Sequence, residues 1–388
     1  MRLNNNHKLS LLLFFLLVTI LQTACIKKMD LYDEKEKDEV EEKDVGPFYI
    51  YPFDKEIRNA SASMIIRCRQ PMDASLIQTE IPALKYNKQW LFMLTQDDCQ
   101  QSTYCRTWAA INGKPIASSQ PYPAPTINDP DRKVDYYYHA AQFREGDFPP
   151  SITSAGKSLG STDGTRKEVR FAVTAAIWPE INAMTQKVNV TPGFTNNYYC
   201  FYRGSSLVWD DVSEILNYGS SVAFHDVEAI NTDDPQSILE HFAIAQTIIQ
   251  DKLSGRGCKT LAEPNGNKTY IEAANQYDPI QTMVAQTKVD DIYPFKVNSD
   301  LLKVVHKRYF NDKPSEFKKM IQSENEKFPP EDRKGIHIGV HNTDDSWVEL
   351  LTWINDTYGK DGDDSVWFPS LEEYTDRSEY NQINCESS

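Results

Sequence analysis

An α/β fold built on a parallel sheet, large enough to close into a barrel, is the architecture that this 388-residue sequence predicts. Three observations point to it. Strand-like and helix-like segments alternate along the second half of the chain, as βαβ units require. Once its N-terminal leader is set aside, a body of about 340 residues remains, more than one ordinary domain but a fit for a single barrel with insertions. Polar residues also close four strand-like segments in turn, and in parallel α/β folds that is the edge where reactive groups gather.

The elements follow from the N-terminus. Arg2 and Lys8 precede the apolar run Leu9 to Leu21, which is short for a bilayer span and has the layout of an export signal, so residues 1–24 read as a signal peptide. The segment "LQTAC" resembles a bacterial lipoprotein cleavage site with Cys25 as the lipidated residue; the alternative is ordinary cleavage with Cys25 a free thiol. Residues 25–45 contain "DEKEKDEVEEKD", a charged run without hydrophobic period, which reads as a solvated tether. Residues 46–80 hold short aromatic and β-branched pieces ("PFYIYPF", "SASMIIRCR") and read as an N-terminal β extension; residues 81–388 read as the barrel.

Within that body, "KYNKQWLFMLT" is a buried strand that runs into Asp97 and Asp98. Residues 112–165 are rich in Pro, Ser, Asp and Tyr and read as a long loop insertion, in which Tyr136, Tyr137 and Tyr138 either stack on sugar faces or simply pack. "VRFAVTAAIW" is strand-like. "WDDVSEILNYG" has helical spacing with Gly219 as its stop, and "SSVAFHD" is a strand that reaches His225. A helix starts near Asp234–Pro235 and ends by Gly255, and "CKTLAEPNGN" is a strand and turn. "SDLLKVVHKRYFND" reads as a helix, "GIHIGVHN" as a strand ending in His341, and "SWVELLTWINDTYG" as a helix.

Charge narrows the function. A formal net charge of −15 argues against nucleic acid, whose phosphates demand a basic footprint. Six cysteines follow Cys25, which allows 15 pairings, and Cys99 and Cys105 are near enough in sequence to pair. No CxxC spacing suggests a zinc ribbon.

Several short motifs, in order, resemble those of the polysaccharide deacetylases, carbohydrate esterase family four, over roughly Ile81 to Tyr374. Thr95-Gln96-Asp97-Asp98-Cys99 stands where the family closes a strand with Thr-aromatic-Asp-Asp-Gly. Gly219 and His225 match the spacing of its second motif, but Ala229 replaces the second histidine. Ala262-Glu263-Pro264-Asn265-Gly266 stands in place of Arg-Pro-Pro-Tyr-Gly, keeping the proline and glycine and losing the arginine. His341 closes a late strand, while His337 lies deeper on the same face and reads as structural. "DSVWFPSLEEYTDR" resembles the family's C-terminal segment, with Trp367 and Phe368 packing the barrel.

The resemblance implies a distorted (β/α) barrel and hydrolysis of acetyl groups on a polysaccharide. It implies Asp97 as general base, Asp98 and His225 as metal ligands, the backbone N–H of Asn265 at the oxyanion, and His341 as general acid. With Ala229 at the second histidine position, Glu228 or Asp226 is the carboxylate that can complete the ligand set, and the cation is zinc or a harder divalent ion. The missing arginine deprives Asp97 of its partner there, and Glu263 adds a carboxylate near the site. The expected protein is a monomer in the cell envelope, lipid-anchored, with an acetylated polysaccharide or oligosaccharide as partner. Two rivals stand beside this reading: a non-catalytic glycan-binding lipoprotein on the same scaffold, and a barrel glycosidase using Asp98 and Glu263.

Overall fold

The computed structural model describes residues 82–116, 137–139, 153–185, 198–200, 206–226, 233–296 and 303–380. The signal, Cys25, the tether, the N-terminal extension and Glu228 lie outside these residues. The centre of the fold is β1 (Trp90–Gln96), buried at every position, as expected of a strand covered on both faces. Every pairing in its sheet is parallel. On one side β1 pairs with β2 (Thr174–Ile177), then β3 (Ser221–Phe224), β4 (Thr260–Ala262), β5 (Thr282–Ala285) and β6 (Val304–Lys307). On the other it pairs with β8 (Ile336–Val340), which pairs with β7 (Tyr309–Phe310); β9 (Val366–Trp367) pairs with the base of β1.

The two outermost strands of this order, β6 and β7, are consecutive in sequence and separated by one residue, Arg308. The sheet is thus nearly closed into a distorted barrel, and the chain itself bridges the seam. Side chains alternate between its two faces. Leu91 and Met93 cluster with Ala176, Ala223, Ala262, Val284 and Trp367 inside. Trp90, Phe92 and Leu94 point the other way, joining Ile336, Ile338, Val340 and Phe368 in a cluster with α-helical residues. The packing expected of Trp367 and Phe368 is therefore present, on opposite faces of the wall.

Helices cover the outside. The first, α1 (Trp209–Asn217), buries Val212, Ile215 and Leu216, and Gly219 follows it at φ 87°, the left-handed stop that the sequence predicts. The Asp234 carboxylate caps α2 (Pro235–Lys252) by accepting from the backbone N–H groups of Gln236 and Ser237, with proline in the first turn. Its buried Ile238, Phe242, Ala245 and Ile249 recur at helical spacing. Three helices follow: α3 (Lys268–Gln276), α4 (Pro314–Lys327) and α5 (Asp345–Tyr358), the last capped by Asp344. A final helix, α6 (Leu371–Tyr380), closes the described chain. Among the described residues no helix is long and apolar enough to cross a membrane.

The structure corrects one element. The stretch "SDLLKVVHKRYFND" is extended from Val304 onward, forming β6 and β7. Its apolar pairs, Leu301–Leu302, Val304–Val305 and Tyr309–Phe310, imitate helical spacing. Its β-branched and aromatic content and the open edges of β5 and β8 decide for strands instead. Within the expected insertion the described parts are short antiparallel pairs, Pro115–Ile116 with Thr153–Ser154 and Tyr137–His139 with Tyr198–Cys200. Cys99 and Cys105 are both buried free thiols, so the disulfide that their spacing allows is not formed.

Candidate active site

Four strand ends meet at one rim. Asp97 follows β1 and its N–H donates to the Val340 carbonyl of β8 at 2.8 Å, the last bond of that ladder. Asp98 and Cys99 then adopt left-handed backbone, φ 60° and 49°, turning the chain sharply off the strand. Such geometry favours glycine, the family's residue at position 99, and costs an L-residue about 1–2 kcal/mol. Cys99 meets that cost with its side chain: its buried sulfur accepts the Trp178 N–H at 2.8 Å, while its own N–H donates to Ala176 at 3.1 Å. Burial pushes the thiol's pKa far up, so it serves the turn as a neutral group.

The sequence-predicted residues converge. His225, buried at the end of β3, lies with Nε2 3.3 Å from Asp98 Oδ1 and 3.8 Å from Asp97 Oδ2. Its Nδ1 donates to the Ala262 carbonyl at 2.9 Å; a carbonyl can only accept, so Nδ1 carries the proton and Nε2 faces the carboxylates. His341 places Nε2 3.3 Å from Asp98 Oδ2, so one carboxylate spans two histidines. The Phe310 ring meets His341 edge-on at 4.8 Å.

The residue that sequence reasoning missed is Arg308. It is fully buried, donating from Nη1 to Asp97 Oδ1 at 2.6 Å and from Nη2 to the Glu263 carbonyl at 3.1 Å. Asp97 therefore has its arginine, supplied from the seam between β6 and β7 rather than from position 262. Gly339 makes room for it. A Cβ there would come within 2.7 Å of Phe310 Cδ2 and 2.9 Å of Arg308 Cδ. The signal was the lone arginine in an apolar stretch, hidden by the helical reading of that stretch.

Other expectations change. Glu263 is buried and engaged on both oxygens: Oε1 pairs with Lys268 at 2.6 Å and Oε2 accepts the Gln286 N–H at 3.3 Å. These contacts tie β4 to α3 and β5. Asn265 is exposed at φ 51° in the turn between Pro264 and Gly266. His337 is buried with Nε2 against the Thr95 hydroxyl inside the barrel, in the structural role expected of it.

The electrostatics describe a place for positive charge. Burial works to lower the His225 pKa, but the facing Asp97 and Asp98 outweigh it and hold it above the ordinary histidine value. Burial works to raise Asp98, yet His225, His341 and Arg308 hold it low. Burial, reinforced by Asp97 and Asp98, raises Asp226, despite a hydrogen bond from the Tyr270 hydroxyl at 3.2 Å. Among the described residues no group of three His, Cys, Asp or Glu side chains is arranged to hold a metal ion. The Asp98 oxygen and the His225 Nε2 nevertheless face each other as two donors. One carboxylate oxygen and one imidazole nitrogen are both donor types that divalent cations accept, and two such donors leave the rest of a coordination shell to water or a further ligand.

A solved structure of a de-N-acetylase from Aggregatibacter actinomycetemcomitans is similar at a TM-score of 0.24 and 16% identity. The match covers 35% of this chain and 59% of that one. No curated protein matches the sequence. The family described as "Putative polysaccharide deacetylase" matches over residues 62–388, which include every strand and helix of the barrel and all the rim residues above. By that match the chain belongs to the polysaccharide deacetylase family.

Proposed function

We propose that this protein is a metal-dependent hydrolase that removes acetyl groups from an extracellular or cell-surface polysaccharide, working from a lipid-anchored position in the cell envelope. One observation carries the reading: Asp97, locked on Arg308, stands beside an Asp98 that reaches both His225 and His341. With Oδ1 held by the guanidinium, Asp97 presents Oδ2 in a set direction, ready to take a proton from an attacking water. Asp98 and His225 would hold the cation, which supplies a Lewis acid for the acetyl carbonyl and lowers the pKa of water. His341, partly exposed beside Phe310, is placed to protonate the departing amine or hydroxyl. The turn at Asn265 offers its backbone N–H to the developing oxyanion.

The glycan-binding alternative draws on Ala229, which removes a ligand. Acetate release from N-acetylated oligosaccharides by the purified protein decides between the two. Turnover should depend on added divalent cation, stop with chelator, and fall at least about 100-fold in Asp97→Asn. If no acetylated glycan is turned over with saturating metal, even after Ala229→His, the hydrolase reading is wrong. New reducing ends without acetate would identify a glycosidase.

A further inference from the structure

The last ladder bond of β1 and β8 precedes His341. Their register runs from Phe92↔Ile336 to Gln96↔Val340 and closes on the Asp97 N–H. His341 comes next, its side chain 44% exposed, yet it sits within 3.3 Å of Asp98. The backbone pairing thus stops one residue short of the group whose position matters.

A buried side-chain network spans the gap. Gln96 Nε2 donates to Ser102 Oγ at 2.6 Å, and Thr107 Oγ1 donates to Gln96 Oε1 at 2.9 Å. Ser102 Oγ donates its single proton to Asn342 Oδ1 at 3.1 Å and accepts the Thr343 N–H at 3.4 Å. The one proton of Thr107 is already committed to Gln96. The 2.9 Å contact with Thr343 therefore runs from the Thr343 hydroxyl to Thr107. Gln96, Ser102, Thr107 and Thr343 are all buried. Both ends of the Gln96 amide are thus spent on the two hydroxyls that hold Asn342 and Thr343, the residues directly after His341.

Gln96 lies on the same outward face of β1 as Trp90, Phe92 and Leu94, where an apolar side chain would pack without desolvation cost. We infer that Gln96 is a positioning residue for His341, tying the strand end that carries Asp97 and Asp98 to the loop that carries the imidazole. This rests on the reading of His341 as general acid. Side-chain networks of this kind hold one arrangement when every member is satisfied, and an error near 1 Å between reacting groups can cost about 100-fold in rate.

Gln96→Met tests it, since methionine keeps the length and loses both bonds; Ser102→Ala cuts the same network from the other side. On an N-acetylated oligosaccharide, each should lower kcat by about 10- to 100-fold with KM within about twofold. In a His341→Ala background, Gln96→Met should cost less than about threefold more, because the group it positions is gone. Independently of turnover, the His341 imidazole resonances should shift and broaden in both variants, and the Thr343 amide should exchange faster with solvent. Unchanged His341 resonances in both variants, or an equal loss of kcat with His341 already removed, overturn the inference. If His341→Ala alone leaves kcat unchanged, the general-acid reading fails, while the resonances still decide whether Gln96 fixes the ring.

Discussion

Removing Arg308 should cost this protein more than any exposed charge could. Arg308 and Asp97 are respectively 0% and 2% exposed, and the Nη1–Oδ1 contact is 2.6 Å. Deleting one member of a buried ion pair leaves the other desolvated without compensation, worth about 3–5 kcal/mol. The lost bond from Nη2 to the Glu263 carbonyl adds about 1 kcal/mol. Arg308→Met, which keeps most of the stem's volume, should therefore lose about 4–6 kcal/mol, a large part of the 5–15 kcal/mol of a typical domain. The assay is urea unfolding followed by tryptophan fluorescence, comparing midpoints at constant slope. Because the penalty belongs to the orphaned carboxylate, Arg308→Met with Asp97→Leu should be more stable than Arg308→Met alone. Acetate release should be lost in both. If Arg308→Met unfolds within about 1 kcal/mol of the parent, or the double variant loses the full sum of the two single effects, Arg308 is not the buried counter-ion of Asp97.

Three further outcomes follow from other parts of the molecule. Burial, with Arg308 and His306 nearby, holds the His337 pKa well below its ordinary 6.5, so the folded state keeps it neutral while the unfolded chain takes up a proton. The His337 contribution to stability should thus be fully present above pH 6.5 and fall by up to about 1.4 kcal/mol per pH unit below it; between pH 7.5, 6 and 5 the urea midpoint should fall less in His337→Gln than in the parent. Restoring the family's histidine by Ala229→His should raise zinc affinity in calorimetric titration by at least tenfold, and unchanged affinity would mean that position 229 does not face the Asp98–His225 donors. Cys25→Ser should move the protein from the membrane to the soluble fraction; identical partitioning of parent and variant would remove the lipid anchor.

Local pattern determined a good deal about this protein. The alternation of strand and helix signals gives the parallel barrel, because side-chain burial on a two-layered wall imposes periods of 2 and 3.6 on the sequence itself. Asp97, Asp98, His225 and His341 were readable for a related reason: each lies within two residues of the end of the strand that carries it, so a motif and its strand end travel together. What only the tertiary structure decided are relations between residues distant in sequence. Arg308 reaches Asp97 across 211 positions because the barrel closes at that point, and closure leaves no period in the chain. The same holds for Glu263, one residue past β4 and paired with Lys268, and for Cys99, whose sulfur takes the Trp178 N–H and so lets a non-glycine residue hold the turn. Strand ends follow from local residue order, whereas the direction a side chain takes from them, and the partner it meets, depend on which strands the closed sheet sets side by side.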